Sequence, residues 1–233
     1  MAEKSILFST EMVKAILDGK KSVTRRVVKP QPPTDTTLIW GPEWYETSVI
    51  GKDGELKPGA LVYGISDDDG EWGIKCPYPP GTVLWVRETW ADLRGMGFGN
   101  DPRTDKPWNF AYAADVKPGS DSDQCRKEYG VKWEPSSRMP RLAARLFLRV
   151  TNVRVERLQE ITRADVLAEG VEQLDSYHEA IDHAFAIGGG TGDIPRQIFR
   201  QLWNSLNDKR GFGWDSNCWV WVVEFSVVNA DAK

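Results

Sequence analysis

Cysteine and histidine are scarce in this chain of 233 residues, which has three of the former and two of the latter. Cys76, Cys125 and Cys218 lie far apart, and no two of them form a CxxC pair. An odd number of isolated cysteines signals neither a disulfide framework nor a zinc ribbon. Because this pattern is typical of reduced thiols, we expect the protein to work in the cytoplasm.

Long apolar stretches are missing as well. The longest apolar run, Cys218 to Val223, is far too short to cross a bilayer. The first ten residues, MAEKSILFST, lack the apolar core and the cleavage site of a secretory signal. We therefore expect a protein that has no membrane partner.

An excess of basic charge is also absent, since 34 acidic residues outnumber 30 lysines and arginines and the net charge is −4. The overall field of an acidic molecule does not attract a polyanion, so a nucleic acid would have to bind a local basic patch. The chain is rich in apolar residues, which make up 40 % of it and include 11 tryptophans. This composition predicts a packed core and argues against disorder of the whole chain.

Motifs that hold a metal or a cofactor are not found either. His178 and His183 are five residues apart, which differs from the i, i+4 spacing of two helical metal ligands. The stretch GGGTGD, residues 188–193, is not followed by the GK[ST] of a phosphate-binding loop. We predict that the protein uses no metal and no cofactor.

Near the start of the chain, the apolar spacing of residues 10–18 predicts a short helix. Ser9 or Thr10 is its N-cap, and Gly19 stands directly after its last residue. Residues 22–28 are β-branched and alternate in polarity, which indicates a strand. The basic stretch DGKKSVTRR therefore covers the end of a helix and the beginning of a strand.

Three further helices and several strands are predicted from the remaining patterns. Thr162 and Asp165 form a capping box for a helix that ends at Gly170. Residues 29–59 favour loops and a hairpin whose turn is KDGE. The other helices are predicted around SYHEAIDHAFAI and IPRQIFRQLWNSL, and the strands are DGEWGIKC, TVLWVRETWA, WNFAYAAD, residues 145–158 with a bulge at Thr151–Asn152, and WVWVVEFSVV. Mostly antiparallel β-structure in one mixed α+β domain is implied.

Five segments taken in order resemble a known family: ILDGKKSVTRR, PGTVLWVRETWA, PRLAARLFLRVTNVRVERLQEIT, AEGV and WVWVVEF. They resemble the activating-signal-cointegrator homology (ASCH) domain of the PUA-like superfamily, in its larger phage or prophage form. The resemblance implies a small, mostly antiparallel β-barrel flanked by helices, with a cleft that handles nucleotides or RNA. It makes residues 1–233 a single domain with insertions near 30–75, 92–135 and 175–195, which are expected to narrow or cover the cleft.

A narrower similarity is to the short bacterial N4-acetylcytidine amidohydrolases of this superfamily. Their GxKxxTxR element matches Gly19, Lys21, Thr24 and Arg26, and the helix after LQEIT brings Glu169 to the position of their acid. The resemblance implies that Lys21, Thr24 and Glu169 are catalytic. Lys21 would be the general base, Thr24 the nucleophile or the group that orients water, and Glu169 the residue that holds the lysine and protonates the leaving amine.

The spacing of this element also has a simpler interpretation, in which Lys20 and Lys21 interact with the end of the helix and Thr24 faces solvent. Lys21 and Thr24 have opposite parity along an ideal strand. The two side chains can converge only if Lys21 lies on the turn before the strand.

Substrate-binding residues are predicted from charged and aromatic side chains near these segments. Arg26 either binds a phosphate or carbonyl oxygen of the substrate or pairs with an acid of the barrel. Arg87 and Glu88 are either an ion pair at the barrel rim, or one of them reads the edge of a base. In the second case Trp85 or Trp90 stacks on that base. Trp214 lies in the loop DKRGFGWDSN, which is either a wall of the cleft or a cover for the open end of the barrel.

Three functions follow from these alternatives. The first is hydrolysis of the amide of an N4-acylated cytosine nucleoside, which needs a small closed pocket. The second is a non-catalytic reader of RNA or of a modified nucleotide, and the third is a nuclease for single-stranded RNA. Both of these need an open basic groove, to which Arg138, Arg141 and Arg145 would contribute. The acidic net charge favours the small nucleoside or modified base as the substrate.

Overall fold

The computed structural model of the chain describes residues 3–33, 39–67, 72–97, 99–101, 106–107, 109–186 and 193–228. These residues form a mixed α+β structure, as predicted. The helices are α1 (Thr10–Leu17), α2 (Asp121–Glu128), α3 (Arg163–Ala168), α4 (Asp175–Ala186) and α5 (Ile194–Asn207). The strands are β1 (Glu3–Leu7), β2 (Val23–Val27), β3 (Ile39–Ile50), β4 (Leu56–Asp67), β5 (Gly73–Lys75), β6 (Val83–Arg87), β7 (Trp90–Asp92), β8 (Asn100–Asp101), β9 (Lys106–Pro107), β10 (Phe110–Tyr112), β11 (Phe147–Arg157) and β12 (Trp219–Val228).

A five-stranded sheet in the order β1-β6-β11-β12-β2 forms the centre of the fold. The pair β1 and β6 is parallel, and the other neighbours are antiparallel. Strand β12 is buried on both faces, because Trp221 and Val223 belong to one apolar cluster and Val220 and Val222 to another. The first cluster includes α1 and parts of β4 and β5, and the second includes α3 and α5.

The two edges of this sheet, β1 and β2, do not share a ladder of backbone hydrogen bonds, and none of the sheets in the described residues is closed into a barrel. A side chain joins the two edges, since Arg26 on β2 donates from Nη2 to the Leu7 carbonyl oxygen on β1 at 2.9 Å. Residues of both strands line the candidate site.

The strand predicted over residues 145–158 is confirmed as β11, including its irregularity. Its register against β12 shifts between Val150 and Asn152, where the bulge was predicted. The capping box of α3 is also present, with the Thr162 side chain accepting from the Asp165 amide. Both features follow from local sequence and therefore appear where the pattern places them.

The single strand predicted for TVLWVRETWA is wrong, because it divides into β6 and β7. Between them the Glu88 side chain is buried against Arg145, and the Glu88 amide contacts the Met139 sulfur at 3.2 Å. The chain therefore changes direction at Glu88. The pairing of β6 with β1 and β11 ends before this residue, and β7 pairs with β10 after it. The prediction missed the break because the partner of Glu88 lies 57 residues away.

The hairpin predicted around KDGE is formed by β3 and β4, which are longer than the sequence suggested, and β5 adds a third strand. The inner end of the hairpin enters the core through Tyr63 and Ile65, whereas Ile50, Leu56 and Leu61 farther out are exposed. The hairpin lies within the first range predicted to be an insertion. No helix in the described part of the chain has the length and apolar character of a membrane span.

Candidate active site

A cavity of about 610 Å³ lies between the two edges of the central sheet and α5. Lys21, Thr24, Arg26 and Glu169 all line it, so the structure brings together the three predicted catalytic residues and one predicted substrate-binding residue. The lining also includes apolar side chains, which are Phe8 and Met12 at α1 and Phe199, Leu202, Trp203 and Leu206 on α5. Apolar lining of this kind suits the face of a planar base.

The three predicted insertions do not supply the lining. Within the described residues, the lining contains no side chain from 30–75, 92–135 or 175–195. The lining includes residues that come shortly after the first two ranges, namely Pro77, Tyr78 and Ser136.

A turn between α1 and β2 positions Lys21. Gly19 ends the helix with a φ of +70°, and the backbone amides of Lys20 and Lys21 both donate to the Ala15 carbonyl oxygen, at 2.8 and 3.0 Å. The next amide, that of Ser22, donates to the Ala168 carbonyl oxygen at the end of α3. Lys21 therefore lies on the turn before the strand, as its convergence with Thr24 requires.

Glu169 is brought to Lys21 by the glycine that follows it. Gly170 has a φ of +84°, in the left-handed region that ends many helices. A Cβ atom at this position would lie 2.8 Å from the Ala15 Cβ and 3.0 Å from the Lys21 Cβ. The end of α3 can approach the turn this closely only because residue 170 has no side chain.

Lys21 and Glu169 form a buried ion pair. The Lys21 Nζ atom donates to the Glu169 Oε2 atom at 2.6 Å and to the Glu169 carbonyl oxygen at 2.7 Å. The two residues are only 4 % and 5 % exposed. Burial lowers the pKa of Lys21 from 10.5, Glu169 opposes this change, and Arg26 and Arg25 add to it.

A lowered pKa suits Lys21 to accept a proton. A neutral lysine amine has two N–H donors and one lone pair. Because the carboxylate and the carbonyl oxygen of Glu169 both accept from Nζ, they orient the amine and leave its lone pair for an incoming proton. The geometry is therefore that of a general base held by an acid.

The Thr24 hydroxyl lies at the same cavity. The residue is 2 % exposed, and no hydrogen bond among the described residues involves its hydroxyl group. Buried hydroxyl groups usually have a partner, so one that faces a cavity without a partner is available to a substrate or to water. The interpretation in which Thr24 faces solvent does not fit this burial.

Arg25 also lines this site, although it is not among the predicted catalytic or substrate-binding residues. Its side chain is fully buried and lies 2.5 Å from Glu156, 3.4 Å from Asp165 and 3.3 Å from Glu169, measured between the guanidinium nitrogens and the carboxylate oxygens. The Arg25 Nε atom has no hydrogen-bond partner among the described residues. Arg25 thus fixes the Glu169 oxygen that Lys21 does not use.

Arg26 contacts backbone carbonyls. It donates to Leu7 at 2.9 Å and to Arg25 at 3.2 Å, and its guanidinium lies over the Phe8 ring at 5.2 Å from the ring centroid. Burial lowers the pKa of Arg26 from 12.5, with Tyr78 and Glu169 opposing the change. No carboxylate of the described residues lies within ion-pair distance of Arg26, so the predicted pairing with a barrel acid is not formed there.

The other predicted substrate-binding residues do not line this cavity. Arg87 donates to the carbonyl oxygens of Ser136, at 3.1 Å, and Ser137. Glu88 is 1 % exposed and forms a bidentate pair with Arg145, at 3.0 and 3.1 Å. These contacts fix the segment after β6, but in the described residues Arg87 and Glu88 do not form the predicted ion pair with each other.

Trp90 and Trp214 are buried in apolar clusters. Trp90 packs with Met139 and lies edge-on to Phe110, with ring centroids 5.7 Å apart. Trp214 packs edge-on to Phe199 at 6.3 Å, inside the cluster behind β12. Neither ring is part of the cavity lining, so their assignment to substrate binding stays a prediction that this cavity does not support.

The predicted basic tract is neutralised by local carboxylates. Arg138 pairs with Glu134 at 3.2 Å, Arg141 with Glu3 at 3.0 Å, and Arg145 with Glu88 and Asp115.

In the part of the chain that the structure describes, no group of three or more His, Cys, Asp or Glu side chains is placed to hold a metal ion.

No protein-family model, curated protein or solved structure matches this chain. The functional conclusion therefore rests on the geometry of the cavity and on the motif resemblance.

Proposed function

We propose that this protein is an amidohydrolase of the ASCH type, and that it removes the acyl group from an N4-acylated cytosine nucleoside with side chains alone, in the cytoplasm. The observation that carries this proposal is the buried 2.6 Å contact between Lys21 and Glu169 in a cavity that Thr24, whose hydroxyl has no partner among the described residues, also lines. A base, an acid and a hydroxyl group at one cavity are the groups that amide cleavage requires.

The reaction divides among these three residues. Neutral Lys21 takes a proton from the Thr24 hydroxyl, or from a water molecule that this hydroxyl orients, and the resulting oxygen nucleophile adds to the acyl carbon. The proton passes along the hydrogen bond from Lys21 to Glu169 and from there to the exocyclic nitrogen as its bond to the acyl carbon breaks. If Thr24 carries the acyl group, a water molecule releases it as the carboxylic acid, and the sum is hydrolysis of the amide.

We also propose the PUA-like barrel as the fold behind this site. Support comes from the side-chain bridge between Arg26 and Leu7, which joins the two edge strands across the cavity. The order and spacing of the five motif segments support it independently.

A reader of RNA and a single-stranded RNA nuclease are less well supported. Both need a run of unpaired cations along an open groove. Arg138, Arg141 and Arg145 are each held by carboxylates, and Trp90 and Trp214 are buried where they cannot stack on a base.

The test is conversion of N4-acetylcytidine to cytidine by the purified chain, followed by chromatography. Lys21→Met and Glu169→Gln should each lower the rate about 100-fold or more, because general acid–base catalysis contributes at least this factor. The matched control is Lys20→Met, since Lys20 is the adjacent lysine, is exposed and bonds only the Gln173 side chain in the described residues.

Thr24 is tested with a pair of variants. Thr24→Ser keeps the hydroxyl and should keep most of the activity, whereas Thr24→Val keeps the shape and should lose it. Folding of each variant is checked by circular dichroism. Equal rates for Lys21→Met and Lys20→Met, or no cleavage at high concentrations of the wild-type chain, would overturn the proposed function.

A further inference from the structure

The lining of the cavity is positively charged, although the molecule as a whole is negatively charged. The chain as a whole has a net charge of −4, yet the cavity lining contains five cationic side chains and one carboxylate, that of Glu169. The cations are Lys21, Arg25, Arg26, Lys29 and Arg210. A concave site with one sign of charge and low-dielectric walls concentrates ligands of the opposite sign.

These cations form two groups. Lys21 and Arg25 are buried and paired with Glu169, so their charge is already balanced. Arg26, Lys29 and Arg210 take part in no ion pair among the described residues. Three positive charges therefore remain at the cavity after the internal pairs are counted.

Two of the three unpaired cations lie toward solvent, and the third lies deeper. Lys29 and Arg210 are exposed, and Arg26 is half-buried. The Lys29 ammonium is 4.9 Å from the centroid of the Phe212 ring, which limits where this long side chain reaches. Arg26 uses two of its N–H donors on backbone carbonyls, and three of the five that a guanidinium has are left for a ligand.

Along the chain, the paired cations Lys21 and Arg25 come just before the unpaired Arg26 and Lys29. Thr24 and Arg26 point to the same side of β2 and are about 7 Å apart along it, at 3.3 Å per residue, and Lys29 lies beyond the end of the strand. The reactive groups thus lie at the buried end of the cavity and the unpaired cations at its mouth.

We propose that the cavity takes a phosphorylated nucleoside, with the base toward Lys21 and the phosphate at the mouth on Arg26, Lys29 and Arg210. Guanidinium and ammonium groups bind phosphate oxygens through charge-assisted hydrogen bonds, which are stronger than neutral ones. The orientation of the base rests on the proposed function, whereas the phosphate site stands on the three unpaired cations alone.

The test compares cytidine with cytidine monophosphate by titration calorimetry on the full chain. Cytidine monophosphate should bind at least about tenfold more tightly, since hydrogen bonds to charged groups contribute enough for that factor. The double variant Lys29→Gln, Arg210→Gln should lose this preference. Lys209→Gln is the control, because Lys209 precedes Arg210 and does not line the cavity.

Salt gives an independent readout. The preference for the monophosphate should shrink as ionic strength rises, while binding of cytidine should change little. Equal affinities for the two ligands, or a preference that survives in the double variant, would overturn the phosphate site. An equal loss in Lys209→Gln and in the double variant would also overturn it, because a general surface charge would then explain the binding.

A phosphate can belong to a mononucleotide or to the end of an RNA strand, so 5′-phosphorylated tricytidylate forms a third arm. Binding no tighter than that of cytidine monophosphate supports the mononucleotide, and markedly tighter binding supports the strand, both through the same phosphate site. Because these titrations need no turnover, the phosphate site can hold even where N4-acetylcytidine is not cleaved. The failure of one proposal is therefore distinct from the failure of the other.

Discussion

Lys21 and Arg25 differ from the other two cations of DGKKSVTRR because their charges are held away from water. Lys20, one residue earlier, is exposed, and Arg26, farther along, is half-buried. Burial disfavours the charged form of an amine, and Glu169 only partly offsets this cost. The same residue type is thus solvated at position 20 and buried beside a carboxylate at position 21.

The lowered pKa of Lys21 predicts a pH dependence of catalysis. A general base acts in its neutral form, so kcat/KM for N4-acetylcytidine should rise with pH and level off at an apparent pKa below 10.5. The free energy of unfolding should rise with pH between this lowered pKa and 10.5, because there the unfolded lysine keeps a proton that the folded one has released.

A pH–rate profile of the wild-type chain measures the first effect, and urea unfolding at several pH values measures the second. The Lys20→Met variant should show the same profile as the wild type, and Lys21→Met should lose the pH dependence of unfolding in this range. A rate that still rises above pH 10.5 would contradict the role of Lys21 as the base.

At the scale of elements, the site depends on how closely α3 approaches the turn after α1. Ser22 bonds the last carbonyl of α3, and Gly170 allows the backbone after Glu169 to pass within contact distance of Ala15 and Lys21. The two short elements act as one unit, since either alone would leave Lys21 without its acid.

Gly170→Ala should therefore be more damaging than Gly19→Ala. Both glycines have a positive φ, at +84° and +70°, and an alanine there costs about 1–2 kcal/mol. At position 19 a Cβ would meet no atom within 4 Å, whereas at position 170 it would overlap Ala15 and push against Lys21.

Urea unfolding and the cleavage assay separate the two effects. Gly19→Ala should lose only stability, while Gly170→Ala should lose more stability and most of the activity, because its added methyl group moves Lys21 away from Glu169. Equal losses of activity in the two variants would show that the close approach at Gly170 is not what holds the pair together.

At the scale of the whole molecule, the cavity and the outer part of the β3–β4 hairpin do not share residues. The cavity is built from β1, β2, α1, α5 and the end of α3, and the hairpin of β3 and β4 reaches the core only through its inner end. The outer residues 47–60 are exposed or half-buried, and none of them lines the cavity.

Shortening the hairpin should therefore leave the site intact. Residues 47–60 can be replaced by Asn-Gly, because Glu46 and Leu61 face each other in the ladder and this dipeptide closes two-residue hairpins. Thermal unfolding should shift by only a few degrees, and cleavage of N4-acetylcytidine should stay within about twofold of the wild type. A large loss of activity with the fold retained would show that the outer hairpin contributes to catalysis.

The sequence alone determined the features that depend on neighbours in the chain. The helix before Gly19, the capping box of α3 and the bulge in β11 all follow from spacings of a few residues, since capping, turn chemistry and periodicity act locally. The positions of Lys21 and Glu169 were predicted from motif resemblance, which carries information about distant contacts that spacing does not hold.

Only the tertiary structure decided which charges are balanced. Arg25 contacts Glu156 and Glu169 across 131 and 144 residues of chain, and Glu88 contacts Arg145 across 57. A buried charge is stable only beside a partner, and that partner is set by strand order and helix packing. Trp90 and Trp214, which were predicted to bind substrate, are core residues for the same reason. The elements that cover them lie elsewhere in the chain.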